Sequence, residues 1–405
     1  MKKNPSCRLL VRGRVWTGEG AAPYAEAFLA RDGFFAAVGD FSEMRRLAGS
    51  GPFEFLDAGD DLVIPGMSDC HIHLTAQARQ DLYLDLARAG SFDLVLEMIR
   101  EKSKELPAEA WIRAINYNEE AWAEPLRPTR QLLDGLGIGN PVIISRYCGH
   151  VHVANTRALE KGGLWNSTDP NVVRDGRGTP TGVLNEGAAG EIISEIAGIY
   201  ETPERIRALI EKTCTRLSSL GITAVHACDA PSYALGEDLA AFQTLEEEGK
   251  LPLRVICFHD SLPNYNFRSG FGSDKLSFGG FKLFCDGSIG GRTAALSSPY
   301  SDDPAATGQL NHTDEELYGL LRRAQERDIQ VQIHVIGDRA IEQALRIVEK
   351  VTEELGAPKR PYRFNHSTYC PESLMVRMKK LGIVVDAQPV QPFRNRFMAP
   401  ARLGR

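Results

Sequence analysis

LVIPGMSDCHIHL, residues 62–74, is the stretch of sequence that decides the fold. It begins as an apolar, strand-like run and ends in a pair of histidines, His71 and His73, with one residue between them. Six further apolar segments are predicted to be strands: residues 221–227, 252–258, 279–286, 329–337, 362–367 and 382–388. Helical patterns separate several of them, and the strands are too apolar to have one face in water. This alternation predicts an α/β fold with a parallel sheet, either a barrel or a doubly wound sheet.

The sequence predicts two domains that meet near residue 62. Residues 1–61 alternate short β-like runs with turns, and Asp32-Gly33 is typical of a tight hairpin, so we expect a small β module here. Residues 62–405 are expected to form the larger domain. The segment between its first two strands is too long for a simple crossover, and we therefore expect an inserted subdomain at about residues 75–200.

The composition is that of a globular protein with a large core, because 43% of the 405 residues are hydrophobic and 25% are charged. The net charge of -6 argues against nucleic-acid binding, and a small-molecule partner is expected instead.

The eight cysteines form no CxxC pair, which favours reduced thiols. The N-terminus lacks the apolar core of a signal peptide, and no apolar run approaches the roughly 18 to 20 residues of a membrane span. We expect no membrane association and a cytoplasmic location.

Four histidines stand at or near the ends of three predicted strands. Side chains alternate along a strand, so His71 and His73 point to one face, about 7 Å apart along the chain. His334 and His366 each lie at the end of a later strand, where barrel enzymes place ligands and catalytic groups. A pair of buried, hydrogen-bonded histidines is the simpler alternative for His71 and His73. Packing alone does not explain four histidines at three strand ends, so we predict a metal site.

A lysine near the end of the fourth predicted strand has two interpretations. Lys282 shares a strand face with Phe284 and Asp286, and a buried lysine is costly unless it is paired, neutral or chemically modified. In the first interpretation Lys282 forms an ion pair with Asp286. In the second, the amine has taken up carbon dioxide to become a carbamate, whose two oxygens can bridge two metal ions.

Eight segments of the sequence, taken in order, resemble the amidohydrolase superfamily. The resemblance is specifically to amidohydrolase family 3, the group of YtcJ-like proteins and N-substituted formamide deformylase, and it extends from about residue 8 to residue 405. The segments that carry it are PGMSDCHIHL, INYNEEAW, CGHVHVAN, TPTGVLNE, GITAVH, FKLFCDGSIGGRTAAL, HVIGDRAI and FNHS.

The resemblance implies a (β/α)8 barrel of the TIM type, with a small β-sandwich made from both ends of the chain. It implies that His71 and His73 bind one divalent metal ion, that His334 and His366 bind a second, and that carboxylated Lys282 bridges the two. Zinc is the expected metal, and manganese, iron or cobalt suit the same ligands. The implied activity is hydrolysis of a carbon–nitrogen bond, other than a peptide bond, in a small amide by a metal-activated water. Lys282, His334 and His366 are the expected catalytic residues.

One departure from the family concerns the eighth strand, whose end supplies a further ligand and general base, an Asp. Only seven strands are predicted here, and Asp386 lies on the seventh, where it does not fit that role. The C-terminal part of the β-sandwich is also missing, and we therefore expect either a chain truncated at its C-terminus or a fold that another chain completes. A catalytically incomplete protein that acts only by binding or oligomerisation is the alternative. A deaminase with one metal is a further alternative, against which Lys282 argues.

Four residues are expected to contact the substrate. His150 and Asn155 lie in CGHVHVAN, which matches a family segment near the substrate. Arg292, in the glycine-rich turn after the fourth strand, either binds a substrate carboxylate as a bidentate fork or forms a salt bridge that fixes the loop. His226 ends the second strand and is expected to face the site. A homodimer is also expected, because the family and an exposed strand edge both favour association.

Overall fold

The computed structural model describes residues 8–119, 122–124, 126–147, 149, 151–229, 238–259, 267–396 and 398–404. The chain divides into two compact units between Met67 and Ser68. No helix within these described ranges is both long enough and apolar enough to cross a membrane.

The first unit is a four-stranded sheet with one helix. Its elements are β1 (Arg8–Trp16), β2 (Tyr24–Arg31), β3 (Phe34–Gly39), α1 (Phe41–Ala48) and β4 (Glu54–Val63), and the sheet order is β3-β2-β1-β4. The predicted hairpin turn joins β2 to β3, and Asp32 and Gly33 both have a positive φ, of 51° and 84°. That geometry is typical of the tight turns that asparagine, aspartate and glycine favour. Met44 of α1 packs on Leu10 and Leu29 to form the core of this unit.

The sequence predicts one strand at residues 62–74, but the structure divides this stretch between two strands. Leu62 and Val63 are the last residues of β4 in the first sheet, and the barrel strand β5 begins only at Met67 (Met67–Ile72). Ile64-Pro65-Gly66 separates the two strands, because proline and glycine interrupt the ladder there.

A second sheet lies between the first two barrel strands in the sequence. Its order is β10-β11-β9-β8-β7-β6, and its strands are parallel from β6 to β8 and antiparallel from β8 to β10. The elements that follow β5 here are α2 (Leu74–Gln80), β6 (Leu84–Asp85), α3 (Phe92–Lys104), β7 (Ile112–Tyr117), α4 (Arg130–Asp134), β8 (Val142–Arg146), β9 (Val151–Ala154), α5 (Thr156–Lys161), β10 (Val172–Arg174), β11 (Pro180–Asn185), a 3-10 turn (Glu186–Ala189), α6 (Gly190–Tyr200) and α7 (Pro203–Ser219).

The barrel sheet has seven described strands, one for each strand that the sequence predicts, and the first of them begins at Met67 and not at Leu62. The remaining elements are β12 (Ile222–Ala227), α8 (Asp238–Glu247), β13 (Arg254–His259), β14 (Leu276–Phe284), α9 (Asp314–Glu326), β15 (Gln330–Val335), α10 (Asp338–Leu355), β16 (Arg363–His366), α11 (Glu372–Lys380), β17 (Val384–Asp386), α12 (Val390–Asn395) and α13 (Met398–Leu403). The strand order is β17-β16-β15-β14-β13-β12-β5, and the pairs from β12 to β17 are parallel. The rings of His71 on β5 and His366 on β16 are only 5.0 Å apart, so the sheet curls into a nearly closed barrel.

Side-chain alternation gives the barrel strands two different faces. Phe281, Leu283 and Phe364 are buried on the outer face, in a core shared with the helices α9, α10 and α11. Lys282 of β14 reaches Asn365 of β16 across the intervening strand β15, so these residues lie on the inner face. The inner face is therefore polar, whereas the outer face carries the apolar core.

Candidate active site

Four histidine rings form a continuous chain of contacts at the barrel interior. The ring centroids of His73 and His71 are 5.3 Å apart, those of His71 and His366 are 5.0 Å apart, and those of His366 and His334 are 4.5 Å apart. His71 lies on β5, His73 directly follows it, His334 lies on β15 and His366 ends β16. The structure thus brings together the four histidines that the sequence singled out.

The backbone at His366 departs from ordinary strand geometry. Asn365 points into the barrel, so strict alternation would turn the next side chain outward. His366 instead has a φ of +70°, in the left-handed region that costs a residue with a side chain roughly 1–3 kcal/mol. This conformation lets Asn365 and His366 both face the interior. A strained backbone at a candidate functional residue suggests a role for that residue beyond packing.

All four rings are uncharged at neutral pH. Burial lowers the pKa of His71, His73, His334 and His366, and it brings the pKa of His334 to about 3 and that of His366 to about 4. The nearby Lys282 amine lowers the pKa values of His71, His73 and His366 further, and His366 does so for His334. A neutral imidazole keeps a lone pair on one ring nitrogen, which is the form that binds a metal ion.

A hydrogen bond assigns the ring nitrogens of one histidine. His334 Nε2 lies 3.0 Å from the carbonyl oxygen of Gly287, which requires a hydrogen on Nε2, so Nδ1 of His334 keeps its lone pair. His366 Nδ1 contacts both an acceptor, Gln388 Oε1, and a donor, Gln391 Nε2 at 3.3 Å, so these contacts fix the position of its ring and leave both tautomers open. His71 Nδ1 is buried and has no hydrogen-bond partner among the described residues. These nitrogens fit the ligand set of a metal ion.

Lys282 does not form the ion pair with Asp286 that the first interpretation of the sequence proposed. Its amine is fully buried, donates to Asn365 Oδ1 and lies 5.1 Å above the ring of Phe284. Asp286 instead accepts backbone N–H groups from Ala295, Ile336 and Gly337, at 3.0, 3.0 and 2.8 Å. Burial lowers the pKa of Lys282 to about 8.

The residues predicted to contact substrate are held in different ways. Asn155 is buried as the N-cap of α5, where its Oδ1 accepts from Val142 and Ala158, which is a structural role. Arg292 forms a salt bridge with Asp302 of its own loop through two hydrogen bonds, which is the second of its two predicted roles. His150 lies outside the described residues. Substrate contact by these three residues remains a prediction.

His226 lies in the barrel interior at the end of β12. Its Nδ1 accepts a hydrogen bond of 2.7 Å from Arg363 Nη1, and its ring stacks on Phe258 with 5.5 Å between centroids. Burial and the Arg363 guanidinium lower the pKa of His226 to about 4. The neutral ring therefore carries its hydrogen on Nε2, which remains suited to donate to a ligand.

Sequence reasoning missed the polar side chains that surround the histidines and the lysine. Gln388 contacts His366, Asn365 contacts Lys282, and Gln332 and Asp386 contact Asn365. A signal for three of them was present, because Gln332 and Asn365 interrupt apolar strands at inward positions and Asp386 ends the last strand. Among the described ranges, no three or more His, Cys, Asp or Glu side chains are arranged to hold a metal ion.

Comparison with known proteins relates the whole chain to hydrolases. The amidohydrolase family matches over residues 54–404. YtcJ of Bacillus subtilis (strain 168) is 30% identical over 386 residues, which cover 93% of this chain and 72% of YtcJ. N-substituted formamide deformylase of Arthrobacter pascens is 27% identical over 400 residues, which cover 94% of this chain and 72% of that protein.

A solved structure gives the same result for the fold. An uncharacterized metal-dependent hydrolase from Pyrococcus horikoshii OT3 superimposes with a TM-score of 0.77 and 27% sequence identity. The match covers 98% of this chain and 77% of the other. The predicted family and barrel fold are confirmed.

Proposed function

Because the chain belongs to the amidohydrolase family, we propose that it hydrolyses a carbon–nitrogen bond, other than a peptide bond, in a small amide. The observation that carries the proposal is the chain of four neutral imidazole rings beside the buried amine of Lys282. The similarity to N-substituted formamide deformylase supports an amide, and the similarity to a metal-dependent hydrolase supports a metal site.

The proposed ligands are divided between two divalent metal ions. His71 and His73 would hold one, His334 and His366 would hold the other, and the carbamate of Lys282 would supply oxygen ligands. The buried Nδ1 of His71, which has no partner in the described part of the chain, and the lone pair left on His334 support this assignment. Each ion would have two histidine ligands and an oxygen ligand from the lysine carbamate. The proposed site therefore needs no cluster of three His, Cys, Asp or Glu residues.

The carbamate forms on the neutral amine of Lys282. The ammonium group loses one proton, its nitrogen bonds to the carbon of carbon dioxide, and a second proton leaves, so that one N–H and a carboxylate remain. A pKa of about 8 makes the neutral amine far more accessible at pH 7 than an exposed lysine would allow.

The bound ions would lower the pKa of a water molecule toward neutrality and polarise the amide carbonyl. The chain's own residues contribute orientation. The Gly287 carbonyl fixes the ring of His334, and Gln388 fixes the ring of His366, as partners outside the ligands of metal sites do. We propose zinc, and manganese, iron or cobalt suit the same residues.

The test is metal content per chain, measured by elemental mass spectrometry on the purified protein, followed by a screen of N-substituted formamides and other small amides. We expect about two metal ions per chain and loss of both metal and hydrolysis in Lys282→Ala and His71→Ala. His152→Gln is the matched control, because His152 is buried in the second sheet, where it contacts Ser145. Normal metal content in Lys282→Ala, or no metal in the unmodified chain, contradicts the proposal.

We also propose that the protein works in a reducing compartment such as the cytoplasm, as a homodimer. The six described cysteines, which include Cys214, Cys228 and Cys257, are all free thiols. Thiol titration of protein purified without reductant tests the first proposal, and light scattering coupled to size-exclusion chromatography tests the second. Disulfide-bonded or monomeric protein would be the contrary results.

A further inference from the structure

Asn365 is the hydrogen-bond partner of the lysine that we propose as the metal bridge. Lys282 Nζ donates to Asn365 Oδ1, and both side chains are completely buried. Asn365 also directly precedes His366 on β16. It therefore adjoins two of the proposed ligands, one through its side chain and one through the backbone.

Two further hydrogen bonds fix the orientation of the Asn365 carboxamide. Its Nδ2 donates to Gln332 Oε1 at 3.1 Å and to Asp386 Oδ2 at 2.8 Å. If the carboxamide rotated by half a turn, its oxygen would face the Asp386 carboxylate and its NH2 group would face the Lys282 amine. The contact between the carboxamide oxygen and the carboxylate would be repulsive, and both hydrogen bonds of Nδ2 would be lost, so the oxygen is held toward Lys282.

The Asp386 carboxylate is itself held in place. Arg363 Nε donates to it at 3.1 Å, Arg363 Nη2 donates to its other oxygen, and Arg363 Nη1 donates to His226. The network thus connects β12, β14, β15, β16 and β17 across the barrel interior. A buried network in which each polar group has a partner is rigid and specifies one arrangement.

We propose that Asn365 is a positioning residue for the carboxylated form of Lys282. The inference rests on the proposed function, because only a carboxylated lysine needs a fixed direction. The carbamate nitrogen keeps a single N–H, and Asn365 Oδ1 accepts it. This hydrogen bond restricts rotation about the Cε–Nζ bond and so sets the direction in which the two carbamate oxygens point.

The test compares the unmodified chain with Asn365→Leu, which removes the acceptor at nearly constant volume. Asn140→Leu is the matched control, because Asn140 is also buried and donates to the carbonyl oxygens of Pro107 and Ala110, away from the lysine. Each protein is loaded with zinc and ¹³C-labelled bicarbonate. The carbamate is measured by ¹³C NMR, zinc affinity by competition with a chelator, and folding by circular dichroism.

We expect Asn365→Leu to lose the carbamate signal and to bind zinc roughly 10- to 100-fold more weakly, while Asn140→Leu keeps both properties. Gln332→Met leaves Lys282 and Asn365 in place and removes one of the two hydrogen bonds that orient the Asn365 carboxamide, so it should show a smaller loss of carbamate and of zinc affinity. This variant replaces Asn365→Leu in the test if Asn365→Leu does not fold. Unchanged carbamate and zinc affinity in the Asn365 and Gln332 variants, or an equal loss in Asn140→Leu, overturns the inference. An unmodified chain with neither carbamate nor metal overturns the proposed function, and this inference with it.

Discussion

Replacing Asp286 by alanine should destabilise the protein strongly and locally. The carboxylate accepts three backbone N–H groups, from Ala295, Ile336 and Gly337, at 3.0, 3.0 and 2.8 Å, and its side chain is buried. Each buried donor left without a partner costs about 1–3 kcal/mol. The variant should therefore lose at least roughly 3 kcal/mol of unfolding free energy, because the side chain joins the loop after β14 to the end of β15.

Hydrogen exchange measured by mass spectrometry tests this prediction at the three amides themselves. A local loss of roughly 3 kcal/mol corresponds to exchange that is roughly a hundred-fold faster at these amides, since about 1.4 kcal/mol is a factor of ten. Asp302→Ala is the control, because Asp302 makes partly exposed ion pairs with Arg292 and Arg402, and its loss should change stability far less than the loss of Asp286. Equal effects of the two substitutions would refute the reasoning from buried hydrogen bonds.

Three further predictions concern stability. The pKa of His226 falls from 6.5 to about 4 on folding, so the unfolded state binds a proton at this residue more tightly than the folded state does. The stability that neutral His226 contributes is therefore full above pH 6.5 and is lost as the pH drops toward 4. Urea titrations over this range should show His226→Gln losing less stability than the unmodified protein, and parallel curves would contradict this. Thr313→Ala removes the capping box that Thr313 forms with Glu316 at the start of α9 and should cost about 1 kcal/mol in the same titration at pH 7, whereas no change would show that the cap contributes nothing. In Gly280→Ala the new Cβ would lie 1.9 Å from the carbonyl oxygen of Gln330, and residue 280 has a φ of +149°. We therefore expect the free energy of unfolding to fall by roughly 3 kcal/mol, or the protein to be insoluble. An unchanged melting temperature would show that the two strands separate easily.

The barrel strands were predictable because local signals and tertiary structure agree there. Each strand is a short apolar run bounded by turn residues. The helices α7 and α9 begin directly after Thr202 and Thr313, whose side chains accept the capping hydrogen bonds. The first strand was misplaced because Leu62 and Val63 are as apolar as a barrel strand. Only the pairing of β1 with β4 shows that they belong to the first sheet.

The partner of Lys282 was not predictable from spacing. Asp286 lies on the same face of the chain and carries the opposite charge, but three backbone N–H groups from distant segments occupy its carboxylate. Asn365 becomes the partner because β16 lies two strands from β14 in the sheet, so that side chains from both meet in the interior. Such a contact depends on strand order and register, which a single sequence does not contain.

The two faces of the barrel strands explain how the interior can contain groups that are costly to bury. Phe281, Leu283 and Phe364 pack outward against helices, and apolar burial of this kind supplies most folding free energy. The inner face carries an amine with a lowered pKa at Lys282 and a left-handed backbone at His366, and both oppose folding. Packing of the outer face against the helices needs neither feature. A site that gathers nitrogen lone pairs from several strands requires the side chains of both Lys282 and His366 to point inward. Both of these costs fall on proposed metal ligands of the inner face, Lys282 and His366, which is an argument for function that does not depend on similarity to any other protein.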